Sequence, residues 1–252
     1  MVNPYDKVYR SIDWNKRPFD IPLKHYNFVA KIIKTRIKEL LPASSVSLLD
    51  VGGGFGALHD FLSEQQKARY ANVDVSKTML SMSKGERLQS VAEALPIRDA
   101  CFEAVVCSEV LEHVNDKEET LSELYRVLKE GGTLVLTTPR SARNESWNKA
   151  KWKAIFLLTY FALALPQFIK QKVMLTKKAG KRPIGTKDEP TDENWLFDFL
   201  QQLGFAVVEF DRVFAFWKRY SWFPVWFLNL MEWRYKGSKL CHAMVFKAIK
   251  AT

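Results

Sequence analysis

The chain has 252 residues, of which 47% are hydrophobic and 26% charged, with 38 Lys and Arg against 28 Asp and Glu. These proportions exclude disorder, collagen-like repeats and fibrous arrays, and the length suffices for one α/β domain carrying an insertion. Three cysteines (Cys101, Cys107, Cys241) without CxxC spacing argue against a disulfide framework or structural zinc, and for a reducing compartment.

The first twenty residues are polar and hold no apolar run, so no signal peptide is expected. Residues 21–42 place Val29, Ile32, Ile33, Ile37, Leu40 and Leu41 at helical spacing and end at Pro42, which predicts an amphipathic helix. Short apolar runs then alternate with helical patterns. Strands are predicted at 46–51, 71–75, 88–92, 104–108 and 133–138, and helices at 57–66, 77–84 and 116–128. The rhythm breaks after Pro139 and resumes at Pro190. A helix over 191–203, capped by Thr191 or Asp192, precedes strands at 205–210 and 241–248. This alternation implies βαβ units: an α/β, Rossmann-like, doubly wound, seven-stranded and mostly parallel sheet, with ligands at its carboxyl edge.

The strongest local pattern is Asp50-Val51-Gly52-Gly53-Gly54-Phe55-Gly56-Ala57, between a strand and a helical segment. Glycines there allow a sharp turn and close approach of backbone to a ligand. Gly52, Gly54 and Ala57 also satisfy the dinucleotide pattern G-x-G-x-x-G/A, so a nicotinamide cofactor stays open at this point. Asp74 closes the next strand, with Val75 beside it, and a carboxylate about 20 residues beyond the glycines suits ribose hydroxyls in either cofactor class. A helix cap is the plainer role for Asp74, although Ser76 could fill it.

Three later segments separate the alternatives. Asp50, Gly52, Gly54 and Gly56 fit D-x-G-x-G-x-G; Ala92-Glu93-Ala94-Leu95-Pro96-Ile97 resembles an A-E-x-L-P-F loop; Ser108-Glu109-Val110-Leu111-Glu112-His113-Val114 and Arg126 to Pro139, with Gly131-Gly132, follow in order. Over residues 46–139 the chain thus resembles the class I S-adenosylmethionine-dependent methyltransferases of type 11, the ubiquinone/menaquinone-pathway kind. The resemblance implies S-adenosylmethionine as cofactor. Backbone groups of Gly52, Gly53 and Gly54 would hold its methionine end, Asp50 and Val51 would orient the turn, and Asp74 and Val75 would meet the ribose. Ala92 and Glu93 would border the adenine, and Ser108 would close the pocket near the sulfonium. Many relatives carry Asp where this chain has Val91, so adenine recognition here is expected through backbone.

Methyl transfer from a sulfonium needs mainly alignment and exclusion of water; a base is needed only when the nucleophile must lose a proton. His113, past the fourth strand, is the candidate base, with a backbone-bonded turn residue as the plainer alternative. Glu109, Glu112 and His113 form E-x-x-E-H, a cluster associated with a divalent cation in some quinone-pathway relatives and with solvated or capping glutamates in others; no metal is assigned.

All the net charge belongs to one stretch. Lys149 to Lys187 holds ten Lys and Arg and no acid, which leaves the rest balanced. Within it, 154–169 is apolar and would span about 24 Å as a helix, short of a bilayer core of ~30 Å. Together with twelve aromatics between Phe205 and Tyr235, it reads either as a lid over the sheet's edge or as contact with an anionic membrane surface. Both imply a lipophilic small-molecule acceptor such as a quinone, isoprenoid or lipid-linked group. Nucleic acid is disfavoured, since Cys-Ser-Glu-Val follows the fourth strand where base-amine methyltransferases carry N-P-P-[FYW]. The expected organisation is a helical cap (1–44), a cofactor-binding core (45–140), a basic apolar insertion (141–190) and the remaining sheet with an aromatic segment (191–252). The expected location is cytoplasmic, peripheral to the inner face of a membrane where the insertion contacts lipid. The rival functions are a nicotinamide oxidoreductase and a non-catalytic membrane adaptor.

Overall fold

The computed structural model describes residues 23–44, 46–64, 66, 69–141, 189–213 and 243–252, with side chains from residue 30 onward. All belong to one compact unit. The basic insertion and most of the aromatic stretch lie outside the described residues, as do the expected roles of those segments.

In chain order the elements are α1 (Leu23–Leu40), β1 (Ser47–Val51), a single 3₁₀ turn (His59–Phe61), β2 (Arg69–Asp74), α2 (Lys77–Leu80), β3 (Glu86–Gln89), β4 (Phe102–Ser108), α3 (Lys117–Val127), β5 (Leu128–Pro139), α4 (Glu193–Gln202), β6 (Phe205–Val213) and β7 (Ala243–Lys250). The seven strands form one sheet in the order β3-β2-β1-β4-β5-β7-β6. The pairs among β1 to β5 are parallel, and β7 runs antiparallel to both β5 and β6. The order reverses at β1, so the carboxyl ends of β1 and β4 open a crevice there.

Period-two alternation sorts side chains to the two faces. Leu49, Val51, Val105, Cys107, Leu134, Leu136, Met244 and Phe246 face α3 and α4. Leu48, Tyr70, Ala104, Val106, Val135 and Val245 face α1. Each helix shows why it forms. On α1, Ile33, Ile37 and Leu40 recur along one face. Helix α3 starts where the Asp116 carboxylate accepts from Glu119 N–H, carries Glu118 and Glu119 in its first turn and Arg126 in its last, and buries Leu121, Leu124 and Val127. For α4 the cap is Asp192, which accepts from Asn194 and Trp195, and Leu196 and Leu200 are buried.

Two expected helices are shorter. Among the described residues of the helix expected over 57–66, only His59–Phe61 form a helical turn. Ser63 and Gln66 bond reciprocally, N–H to Oε1 at 3.2 Å and N–H to Oγ at 3.3 Å. That capping box begins a new turn at Ser63 instead of extending the first one. The expected helix 77–84 stops at Leu80, where Ser81, Ser83 and the left-handed Gly85 follow.

Gly204 ends α4 at φ +95°, and a Cβ there would come within 2.9 Å of the Tyr125 hydroxyl. Tyr125 cannot yield easily, since it packs edge-on against Phe205 and lies under the Lys250 ammonium. Gly204→Ala is expected to lower stability by about 1–3 kcal/mol through backbone strain and this clash; urea denaturation measures it, and an unchanged midpoint would refute the geometric account.

Candidate active site

The carboxyl ends of β1, β2 and β4 bring the sequence-singled residues to one edge of the sheet. Register sets Val51 beside both Val73 and Cys107, and Asp74 beside Gln89. The loop Gly52–Gly56 therefore leaves β1 directly between Asp74 and the Ser108–Val110 turn.

That loop lies close against its surroundings. Gly52, Gly54 and Gly56 all have positive φ. A Cβ on Gly52 would meet Val110 at 2.2 Å, and one on Gly53 would meet Asn72 Oδ1 and Asp50 Oδ2, each at 2.5 Å. The N–H of Gly52 donates to the Val73 carbonyl at 2.7 Å and that of Gly56 to the Gly53 carbonyl at 2.9 Å. Gly54 N–H donates to Asp74 Oδ2 at 3.0 Å. These three N–H groups are thus turned into the protein.

Asp74 has both oxygens engaged with backbone: Oδ2 with Gly54, and Oδ1 with Ser76 N–H at 2.8 Å. Ser76, not Asp74, caps α2, accepting from Met79 N–H at 3.1 Å. The two backbone N–H groups orient the Asp74 carboxylate.

Beneath the loop lies a polar cluster that only partly shows in sequence. Asp50 is 2% exposed, and Tyr70 donates its hydroxyl to Asp50 Oδ2 at 2.5 Å. Asn72, fully buried, donates through Nδ2 to the Gly54 carbonyl at 2.9 Å and to Ser83 Oγ at 2.8 Å. Its Oδ1 has no hydrogen-bond partner. Burial lifts the Asp50 carboxyl from its ordinary 3.8 to about 6; the Tyr70 hydrogen bond opposes this, Asp74 adds repulsion, and Lys34 opposes it again. Burial likewise raises the Tyr70 hydroxyl far above its usual value. Asn72 Oδ1 and Asp50 Oδ2 crowd the same point above Gly53. Asn72 was missed in the sequence reading. The available signal was parity: Tyr70, Asn72 and Asp74 occupy alternate positions of a buried strand.

The neighbouring loop is braced from α3. Ala92 is buried, and the Glu93 carboxylate accepts from Asn115 N–H at 2.8 Å. Leu95 N–H donates to Glu123, and Arg126 donates to the carbonyls of Leu95 and Ile97. Glu123 and Asp99 hold the Arg126 guanidinium firmly charged. Val91, where relatives carry an acid, is 47% exposed. Val75 contributes its carbonyl to Gln89 Nε2.

Past β4, Ser108 Oγ shares a hydrogen bond with Thr137 Oγ1 at 2.9 Å. Glu109 adopts φ +57°, its N–H donating to the Thr137 carbonyl. Its carboxylate accepts from Thr137 Oγ1, whereas that of Glu112 accepts from Thr138 Oγ1. Glu109, Glu112 and His113 are not brought together as ligands: among the described residues no three His, Cys, Asp or Glu side chains form a group that could hold a metal ion. His113 keeps its backbone N–H on the Val110 carbonyl, and its half-exposed ring lies with Nε2 3.7 Å from Glu112 Oε1.

A glycine cradle that tolerates no side chain, next to an oriented carboxylate, fits the ribose and methionine ends of S-adenosylmethionine. Residues 49–136 match the family described as Methyltransferase domain. The demethylmenaquinone methyltransferase of Chlorobaculum tepidum is 28% identical over 170 residues, covering 66% of this chain and 67% of that protein. The ubiquinone/menaquinone biosynthesis C-methyltransferase UbiE of Xylella fastidiosa is 37% identical over 98 residues, 34% of this chain; the chain spans about two fifths (39%) of that protein's length. Among solved structures, an S-adenosylmethionine-dependent methyltransferase of Thermotoga maritima, described as a possible histamine N-methyltransferase, superposes with a TM-score of 0.56 at 20% identity, covering 90% of this chain and 91% of that one. The [4+2]-cyclase SpnF superposes at 0.57 and 16% identity, covering 88% and 81%. Both likenesses concern the fold alone. The sheet order, the glycine loop and the sequence match define a class I S-adenosylmethionine-dependent methyltransferase. The family match spans residues 49–136 of the 252, and with S-adenosylmethionine as the donor the nicotinamide alternative falls away.

Asp50→Asn provides a direct check of the cluster beneath the loop. Because the folded carboxyl titrates near 6, above its ordinary 3.8, the stability linked to Asp50 is fully present below about pH 4 and is lost as pH rises through about 6. Asn keeps an acceptor for Tyr70 and carries no charge to bury. The variant is expected to be about 1–3 kcal/mol more stable than the native chain at pH 7.5, with the difference vanishing near pH 4. Denaturation across pH 4–8 measures it; a variant less stable at pH 7.5 would refute the buried-acid account.

Proposed function

We propose that this chain transfers a methyl group from S-adenosylmethionine to a ring carbon of a reduced, quinone-type lipophilic acceptor at an anionic membrane surface. The donor half rests on Asp74, held by Gly54 and Ser76 at the mouth of the glycine loop. The acceptor half is supported by the names of the relatives, a demethylmenaquinone methyltransferase and a ubiquinone/menaquinone biosynthesis C-methyltransferase. The ten basic residues between Lys149 and Lys187 support the surface, each adding about 1 kcal/mol of attraction to anionic lipid when near it. No helix among the described residues is long and apolar enough to cross a membrane.

The residues divide the work. Carbonyls of the Gly52–Gly54 loop and the buried Asp50 receive the cofactor's ammonium end, Asp74 takes the ribose hydroxyls, and Ala92 and Glu93 border the adenine through backbone. When bound, S-adenosylmethionine supplies an electrophilic methyl group on a good leaving group. The acceptor must be the hydroquinone, because an oxidised quinone ring is too electron-poor to attack. The new carbon–carbon bond forms as the carbon–sulfur bond breaks, and the ring proton at that carbon passes to a base. His113 is the residue for that proton, and Ser108 shapes the pocket wall.

Two measurements test the halves separately. Asp74→Ala is expected to weaken S-adenosylmethionine binding by about 10- to 100-fold in calorimetric titration, because two charge-assisted hydrogen bonds are lost; native affinity would move the ribose elsewhere. Incubated with methyl-tritiated donor and demethylmenaquinol in anionic vesicles, the native chain should transfer label to the lipid extract, faster than in neutral vesicles. His113→Asn should slow transfer at least 100-fold. Absence of label in the lipid fraction sinks the acceptor assignment.

A further inference from the structure

Asn72 lies in β2 with none of its surface exposed. Its amide is held in one orientation by what Nδ2 meets: the Gly54 carbonyl at 2.9 Å and the Ser83 hydroxyl at 2.8 Å. The reverse orientation would set Oδ1 against that carbonyl, acceptor against acceptor. As it stands, Oδ1 makes no hydrogen bond, and it crowds Gly53 together with Asp50 Oδ2. A buried acceptor without a partner is unfavourable and rare. Here it accompanies a donor fixed on the glycine that reaches Asp74.

That glycine is gripped from both sides. The Gly54 N–H donates to Asp74 Oδ2 at 3.0 Å, and its carbonyl accepts from Asn72. The two peptide planes that meet at its α-carbon therefore each have a fixed direction. Between them φ is +56°, and glycine has no side chain with which to hold a conformation, so the hydrogen bonds hold it. Ser83 extends the grip. Its hydroxyl accepts from Asn72 and donates to the Lys84 carbonyl at 3.2 Å, and a Cβ on Gly56 would come within 2.6 Å of it. A line of hydrogen bonds thus runs from the turn after α2 through Ser83, Asn72 and Gly54 to the acid that ends β2.

We propose that Asn72 is the positioning residue for Asp74: by fixing the Gly54 carbonyl it aims the Gly54 N–H, and that N–H turns the carboxylate toward the two ribose hydroxyls of the cofactor. The inference rests on the preceding reading of Asp74 as the ribose acid and deepens it. The Ser76 N–H on Oδ1 comes from two residues further along the chain, so that bond travels with the end of the strand. The Gly54 bond joins residues twenty apart and relates the acid to the glycine loop itself. Without the Asn72 donor the acid stays where β2 ends, and its carboxylate loses the angle at which both hydroxyls reach it. The loss therefore falls on the diol and spares the rest of the cofactor.

Calorimetric titration of the full chain with S-adenosylhomocysteine and with its 2′,3′-dideoxy analogue tests this. The native chain should prefer the diol ligand by about tenfold or more. Asn72→Leu keeps the branched shape of the side chain and removes the donor. It should weaken the diol ligand about 5- to 20-fold and the dideoxy ligand less than about twofold. Added to Asp74→Ala, the same substitution should change neither affinity by more than about twofold, since both act on one interaction. Ser83→Ala should give the same selective loss to a smaller degree. It decides the test if Asn72→Leu does not fold, and native selectivity in it then overturns the proposal. Equal weakening of both ligands by Asn72→Leu makes Asn72 a prop for the whole loop and overturns the proposal alone, as does an unchanged diol affinity. A diol preference that survives Asp74→Ala overturns the ribose reading and the proposal with it.

Discussion

Everything at the carboxyl edge depends on one close approach: the peptide of Gly53 lying on the carboxylate of Asp50 and the amide of Asn72. No side chain fits between them. That contact lets the loop turn back sharply enough for Gly54 to reach Asp74, twenty residues on, and so places an acid at the mouth of the turn. The contact has a cost. Asp50 is buried with a raised affinity for its proton, and Asn72 retains an acceptor without a partner. Such unsatisfied groups are rare in native interiors and tend to persist where a ligand or a proton completes them. Under the proposed reading, in which the loop receives the cofactor's ammonium group, an acid held this way gains its counter-charge when that group arrives.

Strand parity organises the rest. Tyr70, Asn72 and Asp74 stand on one side of β2, so one polar ladder supports the loop from below, braces its carbonyl at Gly54 and then ends at the surface. On the neighbouring side, α3 fixes the 90–97 loop through Glu123 and Arg126, and Glu93 returns a bond to the Asn115 backbone. Helix α3 is itself set by its Asp116 cap and its buried Leu121, Leu124 and Val127. The borders of the site are thus carried by the same packing that stabilises the sheet, and they need no side-chain acid at Val91.

Much of this was legible in the residues. Alternating apolar runs with glycine and proline punctuation locate the central strands, because a strand buried on both faces reads as a short apolar block; the mostly exposed edge strand β3, at Glu86–Gln89, overlaps its expected span of 88–92 only at Leu88 and Gln89. The glycine loop and Asp74 were visible because their chemistry is local in sequence. Helix ends were less visible. The Ser63–Gln66 box and the Ser81–Gly85 turn each outcompete a continuing helix, and both act through side-chain bonds to backbone that periodicity does not register. Asn72 and Tyr70 escaped notice for a different reason. Their importance comes from what lies across the strand pair, Asp50 and Gly53, and a single strand's pattern carries no record of its partner.

The division between what is shared and what is particular runs along the sheet's edge. A fold found in a methyltransferase and in a [4+2]-cyclase alike cannot by itself determine chemistry. The β1–β2 side is built from backbone and from residues fixed by strand pairing, so it suits any acceptor. The β4–β5 side is built otherwise. There a left-handed Glu109, a buried Glu112 and paired threonine hydroxyls meet the chain on either side of the insertion. That arrangement allows the acceptor side to diverge while the donor side stays constant.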